Sequence, residues 1–175
     1  MIRVHFKGKI NKINGGLNMA KINVYDNLKK LNIELPPAPA KAGVYEQVKL
    51  FGTNLAYISG CLPNIEGLPP IKGKVGEDVS LEEAQEAARR CVLNILAVLD
   101  RDLGDLNRVK DCVKMLAFVA SHDDFYSQPQ VANAASEMLM QIFGEEKCPA
   151  RSAVGVNALP GNVPVEIELL IEIDA

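Results

Sequence analysis

The sequence predicts one α+β domain, a mixed β-sheet with two main helices packed on one face, preceded by an N-terminal extension. Three observations lead there. Residues 81–101 and about 127–143 space their apolar side chains at three and four, as amphipathic helices do. Four to five other stretches are apolar runs or alternations bounded by Gly, Pro and Asn, and the order is strand, strand, helix, strand, helix, strand, strand. At 175 residues and 48% apolar content, the chain can bury well over half of its unfolded surface without a disulfide or metal staple.

Residues 1–18 hold four Lys/Arg and no acid. Gly15-Gly16, just before Met19, is what a translated purine-rich ribosome-binding site would encode, so two readings stand. One is a non-native leader with the domain at 19–175; the other is a short first strand, Ile2 to Phe6, and a polar linker. From Asn23, the spacing of Val24, Leu28 and Leu31 predicts a short helix ended by Pro36-Pro37-Ala38-Pro39. Val44 to Leu50 and Leu55 to Cys61 predict a hairpin across Phe51-Gly52-Thr53-Asn54. The prolines and glycines of 62–79 make a long loop with at most one short edge strand near Ile71.

Ser80 with Glu83 forms a capping box for the helix carrying Ala84, Ala87, Ala88, Cys91, Val92, Ile95 and Leu99. Val109 to Ala120 reads as a long strand, apolar on both faces. A second helix begins near Ser127-Gln128-Pro129-Gln130 and stops at Gly144. Ser152 to Asn157 and Pro164 to Ile173 close the chain as two strands around Leu159-Pro160-Gly161. The last strand alternates Val165, Ile167, Leu169, Ile171 and Ile173 with Glu166, Glu168, Leu170 and Glu172. Two helices cannot cover both faces of such a sheet, which predicts oligomerisation through the second face.

The net charge of −3 conceals a body, residues 19–175, with 15 Lys/Arg against 22 Asp/Glu, a balance of −7 that disfavours nucleic acid as a partner. No apolar run approaches the roughly 18 residues of a membrane span. Arg3, His5, Lys7 and Lys9 interrupt any signal-peptide core, so the expected location is the cytoplasm. The four cysteines lack C-x-x-C spacing, and only His5 and His122 are available as imidazoles, so neither a metal nor a cofactor is expected. His122-Asp123-Asp124 reads as a solvated turn, Cys61 as a structural thiol, and Tyr45 and Tyr57 as strand aromatics whose hydroxyls can also meet a polar ligand.

If the last two strands pair as a hairpin, Gly155 faces Glu166, Ala153 faces Glu168 and Arg151 lies opposite Leu170, placing Arg151 and Glu166 on one face with open space at Ala153 and Gly155. An arginine fork can hold a carboxylate while a glutamate positions or deprotonates water, which suits hydrolysis of a small acid. The other reading is an ordinary exposed ion pair on a sheet face.

The run Pro149-Ala150-Arg151-Ser152-Ala153-Val154-Gly155-Val156, then Leu159-Pro160 and Val165-Glu166-Ile167-Glu168, closely resembles the RidA/YjgF family of reactive-intermediate deaminases. Further matches are Gly43-Val44-Tyr45-Glu46-Gln47-Val48, Ile58-Ser59-Gly60 with Pro63, and Val131-Ala132-Asn133, so the resemblance covers about residues 40–173. It implies a chorismate-mutase-like fold assembled as a homotrimer with ligand clefts between subunits. By the resemblance, Arg151 grips a substrate carboxylate, Glu166 orients the hydrolytic water, and Tyr45, Gly60 and Ala153 line the cleft. The implied reaction is cofactor-independent hydrolysis of enamine/imine intermediates of small amino acids to 2-oxo acids and ammonia. Two alternatives are a non-enzymatic trimer that binds a small carboxylate metabolite, and the endoribonuclease (L-PSP) activity with which some members are labelled; the −7 body counts against the latter. Ala153 stands where deaminase members often carry cysteine, and Ala135 and Ser136 replace an aromatic common in the second helix.

Overall fold

The computed structural model describes residues 23–174. The two readings of residues 1–18 lie outside them. The first helix, α1 (Val24–Lys30), starts at Asn23, whose side chain accepts from the Tyr25 and Asp26 N–H groups at 3.0 and 3.2 Å. It ends sooner than the sequence predicts. Asn32, at φ +54°, breaks it before the proline segment is reached. Val24 and Leu28 are buried, and the Asn27 amide donates to the Ile142 carbonyl at 3.0 Å, fixing α1 to the main body.

Strand β1 (Val48–Phe51) and strand β2 (Leu55–Cys61) form the expected hairpin, with Gly52 at φ +62° in its turn. The first strand is shorter than its apolar run suggests. Residues 43–45 form a bend, so Tyr45 is not a strand residue, while Tyr57 is. The preceding connector is held by buried Gln47, which donates to the Pro39 carbonyl and accepts from Arg101, both at 3.1 Å. The 62–79 loop has no strand at Ile71; Val75 instead bridges to Ser121, its N–H donating to the Ala120 carbonyl at 2.9 Å. Buried Asn94 ties the same loop down through the Leu62 and Asn64 carbonyls at 2.8 and 2.9 Å.

Helix α2 (Leu81–Leu103) carries the full Ser80/Glu83 capping box and ends at Gly104 in the left-handed region, φ +75°. Strand β3 (Val109–Ala120) has the predicted bounds, and α3 (Gln128–Phe143) closes one residue before Gly144. Strands β4 (Ala150–Val156) and β5 (Val165–Ile173) complete one five-stranded sheet in the order β1-β2-β5-β3-β4. The expected β4–β5 hairpin does not form. Strand β3 lies between them, antiparallel to β5 and parallel to β4, with α3 as the crossover that a parallel pair requires. A strand apolar on both faces suits this central place.

One sheet face supplies Ile58, Met115, Ala117, Val119, Ile167 and Leu169 to a core completed by α2 and α3 through Ile95, Leu99, Leu139, Ile142 and Phe143. On the other face stand Tyr57, Leu116, Phe118, Glu166, Glu168 and Leu170, with no helix over them among the described residues. This mixed sheet with a one-sided helical layer is the α+β class the sequence predicts. Among the described residues, no helix is long and apolar enough to cross a membrane.

Candidate functional site

Arg151 stands on the edge strand β4 opposite Met115, which is fully buried, so its side chain leaves the sheet on the helical face. There α3 meets it with three neutral acceptors. The guanidinium donates through Nη1 to Ser136 Oγ at 3.1 Å, and through Nη2 to the Pro129 carbonyl at 3.2 Å and Asn133 Oδ1 at 2.5 Å. Asn133 and Ser136 are one helical turn apart on the same stripe, which is why both reach one fork. Among the described residues no carboxylate forms an ion pair with Arg151. The fork is fixed in place while its charge is left for an anion. Beside it lies an open groove of about 360 Å³ lined by Asn133, Ser136, Glu137, Met140, Cys148, Pro149 and Arg151.

Glu166 occupies the opposite face, on β5 beside Phe118 of β3. An irregularity in β2 between Ile58 and Cys61 brings Gly60 against it: a methyl group there would overlap the carboxylate, with Glu166 Cδ at 2.7 Å and Cγ at 3.0 Å. Burial, and secondarily the charge of Glu168, raise the Glu166 carboxyl above its ordinary value. Tyr57 donates to Glu168 Oε2 at 2.5 Å, and that bond, with burial, pushes the phenol up to about 12. Cys61 is likewise pushed up to about 12 by burial and the neighbouring Glu166 charge, so it remains a thiol, as a structural cysteine should.

The single-face pairing of Arg151 with Glu166 is therefore corrected. With β3 between β4 and β5, parity along the ladder sends Arg151, Ala153 and Gly155 to the helical face and Glu166 and Glu168 to the open one. Ala153 and Gly155 border the helical side of β4 and not a space shared with Glu166. Ala153 packs on the core, and a side chain at Gly155 would stand 2.9 Å from Gln128 Nε2. Tyr45, 40% exposed, lies in the bend before β1, its ring beside Gly43, two residues ahead of Gln47, whose carbonyl accepts from Ser59 N–H at 2.9 Å. The candidate residues thus fall into two groups, Arg151 with Asn133 and Ser136, and Glu166 with Gly60, while Tyr45 stands apart in the bend before β1. His122 lies in a turn, its Nδ1 accepting from Asp124 N–H at 3.2 Å.

Residues 26–173 match the family model described as "YjgF/chorismate_mutase-like, putative endoribonuclease". The chain belongs to the YjgF/RidA family. Protein TCP17 of Trypanosoma cruzi is 40% identical over 157 residues, covering 89% of this chain and 98% of that protein. A 2-iminobutanoate/2-iminopropanoate deaminase of Dermatophagoides farinae is 32% identical over 143 residues, covering 81% and 95%. The crystal structure of Atu1372 from Agrobacterium tumefaciens, a protein of unknown function, superposes with a TM-score of 0.79 at 40% identity, covering 86% and 92% of the two chains.

Within this YjgF/RidA chain, the sequence resemblance led to Arg151 and Glu166 but not to the groups that hold the arginine. The resemblance marks Asn133 only as a matching position, and Ala135 and Ser136 only as replacing an aromatic. The available signal was their three-residue spacing on α3, which gives two polar side chains one direction. Ser136, 7% exposed, presents a hydroxyl that accepts from the Arg151 fork.

Proposed function

We propose that this protein hydrolyses enamine/imine intermediates of small amino acids to 2-oxo acids and ammonia, without a cofactor, in clefts between the subunits of a homotrimer. The observation that carries the reading is the Arg151 fork, anchored by three neutral acceptors and unmatched by a carboxylate among the described residues. Similarity to proteins named 2-iminobutanoate/2-iminopropanoate deaminase supports the reaction class. The substrate's carboxylate is taken by Arg151, which fixes the adjacent C=N carbon. Water held by Glu166 adds to that carbon as the carboxylate takes one water proton and passes it to nitrogen, giving an amino alcohol; the hydroxyl proton then moves through the same carboxylate to the amino group, which leaves as ammonia as the C=O forms.

Because Arg151 and Glu166 project from opposite faces of one sheet, the two act on one substrate when the open face of one copy meets the β4 edge of another. The uncovered apolar groups Leu116, Phe118 and Leu170 favour such a contact. Release of 2-oxo acid from freshly generated 2-aminoacrylate and 2-aminocrotonate tests the reading. Acceleration over the spontaneous rate, lost in Arg151→Ala and Glu166→Ala, supports it; a parent no faster than buffer refutes it.

A further inference from the structure

Asn133, Ser136, Glu137 and Met140 fall at intervals of three, one and three residues, so one stripe of α3 forms a wall of the groove beside Arg151. Cys148 and Pro149, at the entry to β4, form the other wall. The volume of about 360 Å³ is near the lower end of small-molecule sites, room for one metabolite. The distribution of charge along it is uneven. Arg151 is clamped at the level of Asn133 and Ser136, and Glu137, exposed and without an ion pair among the described residues, stands on the same wall. Between and beyond them the lining is apolar or weakly polar: Met140, Pro149 and the Cys148 thiol. A groove with a free cation, a free anion and an aliphatic lining is complementary to a ligand with a carboxylate and a positive charge joined by a short carbon chain.

We propose that this groove is the side-chain subsite of the substrate held by Arg151, and that Glu137 selects imino acids whose side chain ends in a positive charge. This rests on the function proposed above and adds a substrate preference to it. Arg151 takes the carboxylate, the aliphatic stem lies along Met140 and Pro149, and Glu137 receives the cationic end.

The test compares 2-imino acids generated in place from arginine and from citrulline, which have the same length and differ in side-chain charge. A solvent-facing ion pair of this kind changes kcat/KM by about fivefold, the upper end for exposed pairs. The parent is expected to favour the arginine-derived imine by that ratio, Glu137→Gln to bring the ratio to about one, and Glu137→Lys to bring it below one. A parent that hydrolyses both equally, or a Glu137→Gln variant that keeps the preference, overturns the subsite and leaves the deaminase reading in place. If neither imine is hydrolysed, the thermal shift given by free arginine against free citrulline decides separately. A larger shift with arginine, abolished in Glu137→Gln, upholds the groove's selectivity although the deaminase reading fails, and equal shifts overturn it.

Discussion

Replacing Gly60 by alanine adds one methyl group at the place where β2 meets Glu166. The backbone there is not in the left-handed region, so alanine is conformationally allowed and the sheet should persist. The added carbon would stand 2.7 Å from Glu166 Cδ and 3.0 Å from Cγ, against ordinary carbon–carbon contacts of about 3.5–4.0 Å. The carboxylate must therefore move by about 1 Å, and a displacement of that size at a reacting group costs roughly 100-fold in rate. Steady-state release of 2-oxo acid from 2-aminocrotonate measures it. The expected result is a fall of that order, mainly in kcat, with the melting temperature within a few degrees of the parent. A folded Gly60→Ala protein retaining activity within threefold would refute the placement of Glu166 at the reacting water.

Arg151→Lys keeps a charge but loses the fork to Ser136, Pro129 and Asn133; kcat/KM should fall at least tenfold while the oligomer measured by light scattering is unchanged. Ser136→Ala removes one of those three acceptors, and a several-fold loss should appear in kcat/KM with a folded protein by circular dichroism. For stability, the raised Glu166 carboxyl means the folded state binds more protons than the unfolded chain between the ordinary carboxylate value and the folded one. Stability is then lost as pH rises through that window, so Glu166→Gln should melt above the parent at pH 7, the difference closing below about pH 4. Melting curves at both pH values check the sign; a Glu166→Gln protein less stable at pH 7 contradicts it.

Much of the fold was legible because local chemistry determines it. The Ser80/Glu83 box set the start of α2, Gly104 its end, and continuous apolarity marked β3. Tyr45 was misplaced because the apolar character of Val44 to Leu50 does not reveal that 43–45 bend. The more consequential difference was the pairing of β4 and β5. Alternation along a strand fixes which residues share a face, but not which strand lies alongside. Continuous apolarity suits a central strand such as β3, and the α3 segment between β3 and β4 is long enough for the crossover of a parallel pair. With that order, Arg151 and Glu166 separate to opposite faces. The site was thus legible as residue types, and its division into two halves required the topology.

The central claim is that each site draws Arg151 from one copy and Glu166 from another. Mixing Arg151→Ala and Glu166→Ala chains in equal amounts, with subunits exchanged by unfolding and refolding together, tests it most directly. Each variant alone should be inactive. In the proposed homotrimer with subunits assorted at random, a pairing of an intact arginine with an intact glutamate arises at about one interface in four, so the mixture should recover about a quarter of parental activity. A mixture in which subunits have demonstrably exchanged, yet which is no more active than either variant alone, would contradict a site shared between copies.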